Sequence, residues 1–147
     1  FDHPTADTPH RVLFNIGANP LRMQRGGQRI LLQNLWPTLD MIVTLDFRLS
    51  TTALYSDFVL PMAQHHEKTN TNYTTNDTMF AALADKAVDP PGEARSEYQA
   101  TLAIARALVE RARVRGVEQV TARGGRVVRL DHFYECRGFF CKSKYFK

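Results

Sequence analysis

The chain runs to 147 residues with 44% apolar and 23% charged side chains, enough for one folded domain with a real core and too apolar for a disordered polymer. Nineteen Lys and Arg against fifteen Asp and Glu give a formal charge of +4. The cations are dispersed over residues 22–29, 106–115, 123–129 and the tail, so no nucleic acid is expected as a partner, and no run approaches the ~20 apolar residues that direct membrane insertion requires.

Phe1-Asp2-His3-Pro4 follows no initiator Met and fits neither a signal nor a transit peptide, so the sequence reads as an internal piece of a larger subunit. Arg11 to Ile16 is a nearly continuous apolar run closing at Gly17, the pattern of a strand buried on both faces of a parallel sheet. Gly17-Ala18-Asn19-Pro20 is a turn. Gly26-Gly27 precedes Gln28 to Leu35, where Ile30, Leu31, Leu35 and Trp36 make a one-sided helical stripe that Pro37 ends. Met41 to Leu45 is a second buried strand ending at Asp46, which completes a strand–helix–strand unit.

Ser50 and Thr51 are good caps for a single helical turn over Thr51 to Tyr55. Phe58-Val59-Leu60 before Pro61 is a third short strand. The polar stretch from Gln64 to Thr78 has no usable period, and a long irregular loop is expected from about Pro61 to Gly92. Ser96-Glu97-Tyr98-Gln99 is a capping box opening a helix to about Arg115, with Tyr98, Leu102, Ala105, Val109 and Ala112 on one face and Gly116 as terminator. Val117 to Leu130, with Gly124-Gly125 between, predicts a hairpin. The fold class is α/β: a mainly parallel, Rossmann-like sheet flanked by helices.

In such sheets ligands bind outside the carboxyl ends of the strands. The loop after the first strand carries Gly17, Asn19 and Arg22, and the loop after the second carries Asp46, Arg48, Ser50 and Thr51. Gly admits a phosphate to the backbone, Arg adds charge-assisted contacts, and a carboxylate at a strand end suits the two N–H groups on one edge of a guanine. This rim is compatible with a nucleotide-bearing cofactor, and equally with an ordinary turn and a surface Asp46–Arg48 pair. There is no GxGxxG and no Walker lysine.

The run Val43-Thr44-Leu45-Asp46-Phe47-Arg48-Leu49-Ser50-Thr51-Thr52, continuing through Asp57 to Leu60-Pro61 and followed by Glu67-Lys68, resembles a signature stretch of the dimethyl-sulfoxide-reductase family of molybdenum enzymes. The likeness is to the subgroup with respiratory nitrate reductase, ethylbenzene dehydrogenase and selenate and (per)chlorate reductases. Asn15 to Arg22 is similar to that family's Gly-x-Asn-Pro loop, and Ala87 to Glu97 resembles the segment leading into its next helix. The resemblance covers residues 11 to 115 and implies a molybdenum bis(molybdopterin guanine dinucleotide) cofactor. Asp46 would take the guanine edge, with Gly17, Asn19, Thr44, Arg48, Ser50 and Thr51 lining the guanosine diphosphate pocket. Asp57 would either join them or hold the Thr51–Tyr55 turn.

In that family the molybdenum ligand and the cysteine-rich segment for an iron–sulfur cluster precede this region, so the catalytic residues are unknown and no metal ligand is expected here. The implied partners are the rest of the α subunit and an iron–sulfur electron-transfer subunit, on the bacterial periplasmic or cytoplasmic face of the membrane. Residues 1–135 are read as a partial molybdopterin-guanine-dinucleotide-binding α/β domain and 136–147, with Cys136 and Cys141, as an unmatched tail. His65-His66-Glu67 reads as solvated loop, because adjacent histidines diverge and no third ligand has suitable spacing. Asn72-Tyr73-Thr74 and Asn76-Asp77-Thr78 fit a glycosylation pattern short enough to arise by chance. The alternatives are a free-standing nucleotide-binding module and a protein-interaction module without redox activity.

Overall fold

Three parallel strands carry the first part of the molecule, and their order in space is their order in sequence. The structure, a computed structural model, describes residues 9–72, 82–121, 125 and 127–130. Strand β1 (Val12–Ile16) pairs with β2 (Met41–Asp46), and β2 with β3 (Phe58–Pro61), all parallel. Phe14 lies beside Val43 and Val43 beside Phe58 in the register. The β1–β2 crossover holds α1 (Pro20–Met23), a π-helical segment (Gly27–Leu35) and a 3-10 turn (Trp36–Thr38). The β2–β3 crossover is the single turn α2 (Thr51–Leu54).

The chain divides into two compact units, Phe1–Glu97 and Tyr98–Lys147. In the first, β2 is the core: Ile42, Val43, Thr44, Leu45 and Asp46 are all buried, as a continuous apolar run predicts for a central strand. Strand β1 departs from that expectation. Among the described residues it pairs on one side only, and Val12, Phe14 and Ile16 on one face are 46–47% exposed while Asn15 on the other is buried. Residue composition alone does not separate an edge strand from a central one.

The stretch expected to be irregular is partly ordered. It holds a 3-10 turn (His65–Glu67) and an antiparallel ribbon of β4 (Asn70–Asn72) and β5 (Ala82–Ala84). Its strands, three residues each, are too short for an apolar alternation that a sequence reading could detect. Helix α3 (Glu97–Val114) begins and ends within a residue of its expected bounds. Its burial is not confined to one stripe: Ala100, Val109 and Ala112 are buried, Ala100 about half a turn round from Val109, and Tyr98 is exposed. Strands β6 (Gln119–Thr121) and β7 (Val127–Arg129) form the expected hairpin, with Val120 opposite Val128. Positions 73–74 and 76–78 of the glycosylation patterns and the whole 136–147 tail lie outside the described residues. No helix among the described residues is long and apolar enough to cross a membrane.

Candidate functional site

The carboxyl ends of β1, β2 and β3 open onto one rim. Gly17 leaves β1 with φ +60, a left-handed conformation that a side chain disfavours, and its N–H donates to Leu45 O at 2.9 Å. A Cβ at Gly17 would meet nothing within 4 Å, so glycine serves the backbone here and leaves open space at the rim. At the end of β2, Asp46 is 8% exposed. Its Oδ1 accepts from the backbone N–H of Phe47 at 2.8 Å and, more weakly, of Arg48 at 3.4 Å, a turn in which the carboxylate holds its own loop.

The second oxygen, Oδ2, has no partner among the described residues, where no fully buried side-chain N or O goes unpaired. It is therefore not fully enclosed. Asp46 borders a cavity of about 200 Å³ together with Gly17, His65, Lys68 and Glu97, with apolar wall from Leu45, Met62 and Ala63. The size is below the ~300–1,000 Å³ of pockets for whole drug-sized ligands, and suits one ring or headgroup.

Two rim loops are tied together by buried hydrogen bonds. Asn19 Oδ1 accepts from Thr52 N at 3.1 Å and Thr52 Oγ1 at 2.9 Å, while Leu21 N donates to Thr52 Oγ1 at 3.2 Å. Ser56 Oγ donates to Thr52 O at 2.8 Å and lies 2.7 Å from Thr44 Oγ1, which Asn15 Nδ2 reaches at 3.4 Å. Thr44 and Thr52 are fully buried. Each polar group satisfied in a low-dielectric interior rigidifies its neighbours, so the network fixes the loop after β1 against the turn after β2.

The sequence-predicted site residues separate into two groups. Gly17 and Asp46 line the cavity. Asn19 and Thr44 do not line it and are engaged in the hydrogen-bond network, and Ser50 caps α2 by accepting from Ala53 N at 3.3 Å. Thr51 is the first, half-buried residue of α2. Exposed Arg48 lays its guanidinium 4.6 Å from the centre of the Phe47 ring, a cation–π contact. Asp57 accepts from Ile42 N at 2.7 Å, bracing the start of β2.

Lys68 and Glu97 escaped the residue-level reading. Lys68 Nζ, on a side chain 8% exposed, donates to both carboxylate oxygens of Glu97. Burial pushes the Glu97 carboxyl up. The Lys68 hydrogen bond, its own backbone N–H and the charges of Lys68 and His65 outweigh that, so the net effect holds it below its ordinary value. Glu67-Lys68 stood within the resembling motif, but nothing local links Lys68 to a partner 29 positions on. Among the described residues no three His, Cys, Asp or Glu side chains gather as a metal site would need.

Residues 3–111 match the sequence profile of molybdopterin oxidoreductases. The chain belongs to the molybdopterin oxidoreductase family. The perchlorate reductase subunit alpha of Dechloromonas aromatica is 36% identical over 65% of this chain and 10% of its own length. The respiratory nitrate reductase subunit alpha of Haloferax mediterranei is 38% identical over 68% of this chain and 10% of its own. Over a shorter stretch, 49% of this chain and 6% of the relative, the respiratory nitrate reductase 1 alpha chain of Escherichia coli is 47% identical. The matched region thus spans about a tenth of the first two relatives. A molybdopterin fits this rim in two respects: a buried carboxylate with a free oxygen at a strand end, and a glycine loop open to a ligand's approach.

Proposed function

We propose that this chain holds the guanosine diphosphate end of a molybdenum bis(molybdopterin guanine dinucleotide) within the catalytic α subunit of an oxidoreductase. The observation that carries the reading is Asp46, a buried carboxylate with one oxygen unpaired among the described residues, bordering a cavity at the carboxyl end of a parallel sheet. A carboxylate held by its own loop is pre-set to accept from N1–H and N2–H of a guanine. Gly17, Asn19, Thr44, Arg48, Ser50 and Thr51 complete the site. On this reading Gly17 would give phosphate oxygens backbone room and Arg48 would add charge, while Asn19, Thr44 and Ser50 act by fixing the loops.

The cofactor would supply the redox chemistry, and this chain's residues bind and orient it. The parent subunit, on this reading, is a molybdopterin-dependent reductase. Relatives named as perchlorate, nitrate and chlorate reductase α subunits support an oxyanion as substrate. Its partners are the rest of the α subunit, with an iron–sulfur cluster of its own, and an iron–sulfur electron-transfer subunit. Calorimetric titration of the chain with GDP tests the assignment. Binding is expected, with at least a tenfold loss (about 1.4 kcal/mol) in Asp46→Ala. Equal binding by both forms would remove Asp46 from the site, and no binding by either would remove the nucleotide reading.

A further inference from the structure

Lys68 sits where a neutral side chain would serve the fold better. Lysine is almost never buried unless paired, and a buried ion pair gains little over apolar residues of the same volume. Its partner Glu97 is half-exposed, yet Lys68 itself is 8% exposed and borders the cavity that Asp46 also borders. An ammonium has three protons. Glu97 receives the Lys68 ammonium on its two oxygens, which leaves one N–H for whatever enters.

Asp46 and Lys68 do not pair with each other, although both line the cavity. A carboxylate acceptor and an ammonium donor therefore belong to residues that border one cavity without pairing, with Leu45, Met62 and Ala63 as apolar wall for a flat ring. A guanine edge presents two donors, N2–H and N1–H, and then one acceptor, O6. The carboxylate satisfies the two donors. O6 would lose its water on entering and remain unpaired unless the protein supplies a donor, which is costly for a buried acceptor.

We infer that Lys68 is that donor: with Asp46 it reads both ends of the guanine edge, and Glu97 is the positioning residue that holds the ammonium in place. The inference rests on the guanosine diphosphate reading and adds a specificity-determining residue to it. Adenine would meet the same pair with its polarity reversed, an amino group toward the ammonium and a bare ring nitrogen toward the carboxylate.

The test is calorimetric titration of the full 147-residue chain with GDP and with 6-thio-GDP. Sulfur in place of O6 is a poorer acceptor, while N1–H and N2–H are kept. The unaltered chain should prefer GDP by about tenfold, the scale of one charge-assisted hydrogen bond. The Lys68→Met, Glu97→Gln double variant, which leaves no lone charge, should bring that preference to within about twofold of unity, and Lys68→Arg should keep most of it. The same tenfold preference in the double variant overturns the role of Lys68 and leaves the nucleotide site standing. So does a ratio near one in the unaltered chain, a result that needs no variant to fold. No GDP binding by the unaltered chain overturns both readings at once.

Discussion

Replacing Thr52 with Val tests whether the buried network holds the two rim loops. Valine matches threonine in shape, so no cavity opens, and what goes is the hydroxyl. Oγ1 donates to Asn19 Oδ1 at 2.9 Å and accepts from Leu21 N at 3.2 Å. Leu21 is 2% exposed, so water cannot replace the lost acceptor. A neutral hydrogen bond contributes about 1 kcal/mol and a buried N–H left unpaired costs ~1–3 kcal/mol, which puts the loss near 2–3 kcal/mol. Asn19 Oδ1 keeps its bond from Thr52 N, which limits the damage to that range. With a urea slope of ~1–3 kcal/mol per molar, the midpoint should fall by about 1 M. Trp36 is the single tryptophan, and its Nε1 donates to Tyr55 O at 2.9 Å, so its fluorescence reports on this unit. Thr51→Val, at a half-buried position, is the control and should change stability by less than about 0.5 kcal/mol. A Thr52→Val chain as stable as this control would refute the claim that the network fixes the loops.

Leu45 is 1% exposed in the central strand, and Leu45→Ala should cost about 2–5 kcal/mol in the same urea experiment. Two glycines should be costly to replace for different reasons and to different degrees. A Cβ at Gly27 would lie 2.4 Å from Pro20 O and 2.9 Å from Leu21 O, backbone atoms that cannot step aside, so Gly27→Ala should cost about 2–3 kcal/mol or abolish folding. Gly17→Ala meets open space and should cost only the ~1–2 kcal/mol of a left-handed backbone. Because the Glu97 carboxyl is held below its ordinary 4.5, its contribution to stability is present above that value and lost as pH falls through the lowered folded one. Urea midpoints should therefore decline below about pH 4.5, and Glu97→Gln should make that decline shallower.

The three strands, the turn at Thr51 and the long helix were legible because each is written locally: apolar runs closing at Gly17, Asp46 and Pro61, a Ser50 cap, and a capping box with Gly116 beyond it. Asp46 was legible for a related reason: a carboxylate closing a buried strand marks a rim. What escaped depends on partners distant in sequence. Asn19 was read as lining the pocket, and what its own loop does not announce is that its carboxamide oxygen accepts from Thr52, 33 positions away. Thr44 alternates with apolar neighbours in the second strand, and only the arrival of Ser56 and Asn15 makes it part of an interior network. Lys68 was read only as part of the resembling motif, because burial of a lysine is decided by where Glu97 lands. The π-helical winding over Gly27–Leu35 has no sequence signature distinct from an α-helix, since the stripe of Ile30, Leu31 and Leu35 suits either.

Strand β1 ends the sheet with Val12, Phe14 and Ile16 half-exposed on one face, and Phe58 of β3 is 57% exposed. In solution that surface sets a colloidal limit on how the chain can be handled. An unpaired edge beside a row of apolar side chains favours self-association as concentration rises, and sulfate or phosphate salts strengthen it. Titrations are therefore best run with dilute protein in the cell and nucleotide in the syringe, in chloride buffer. Light scattering that grows with protein concentration, and recedes when Phe14 or Ile16 is made polar, would trace the limit to this strand.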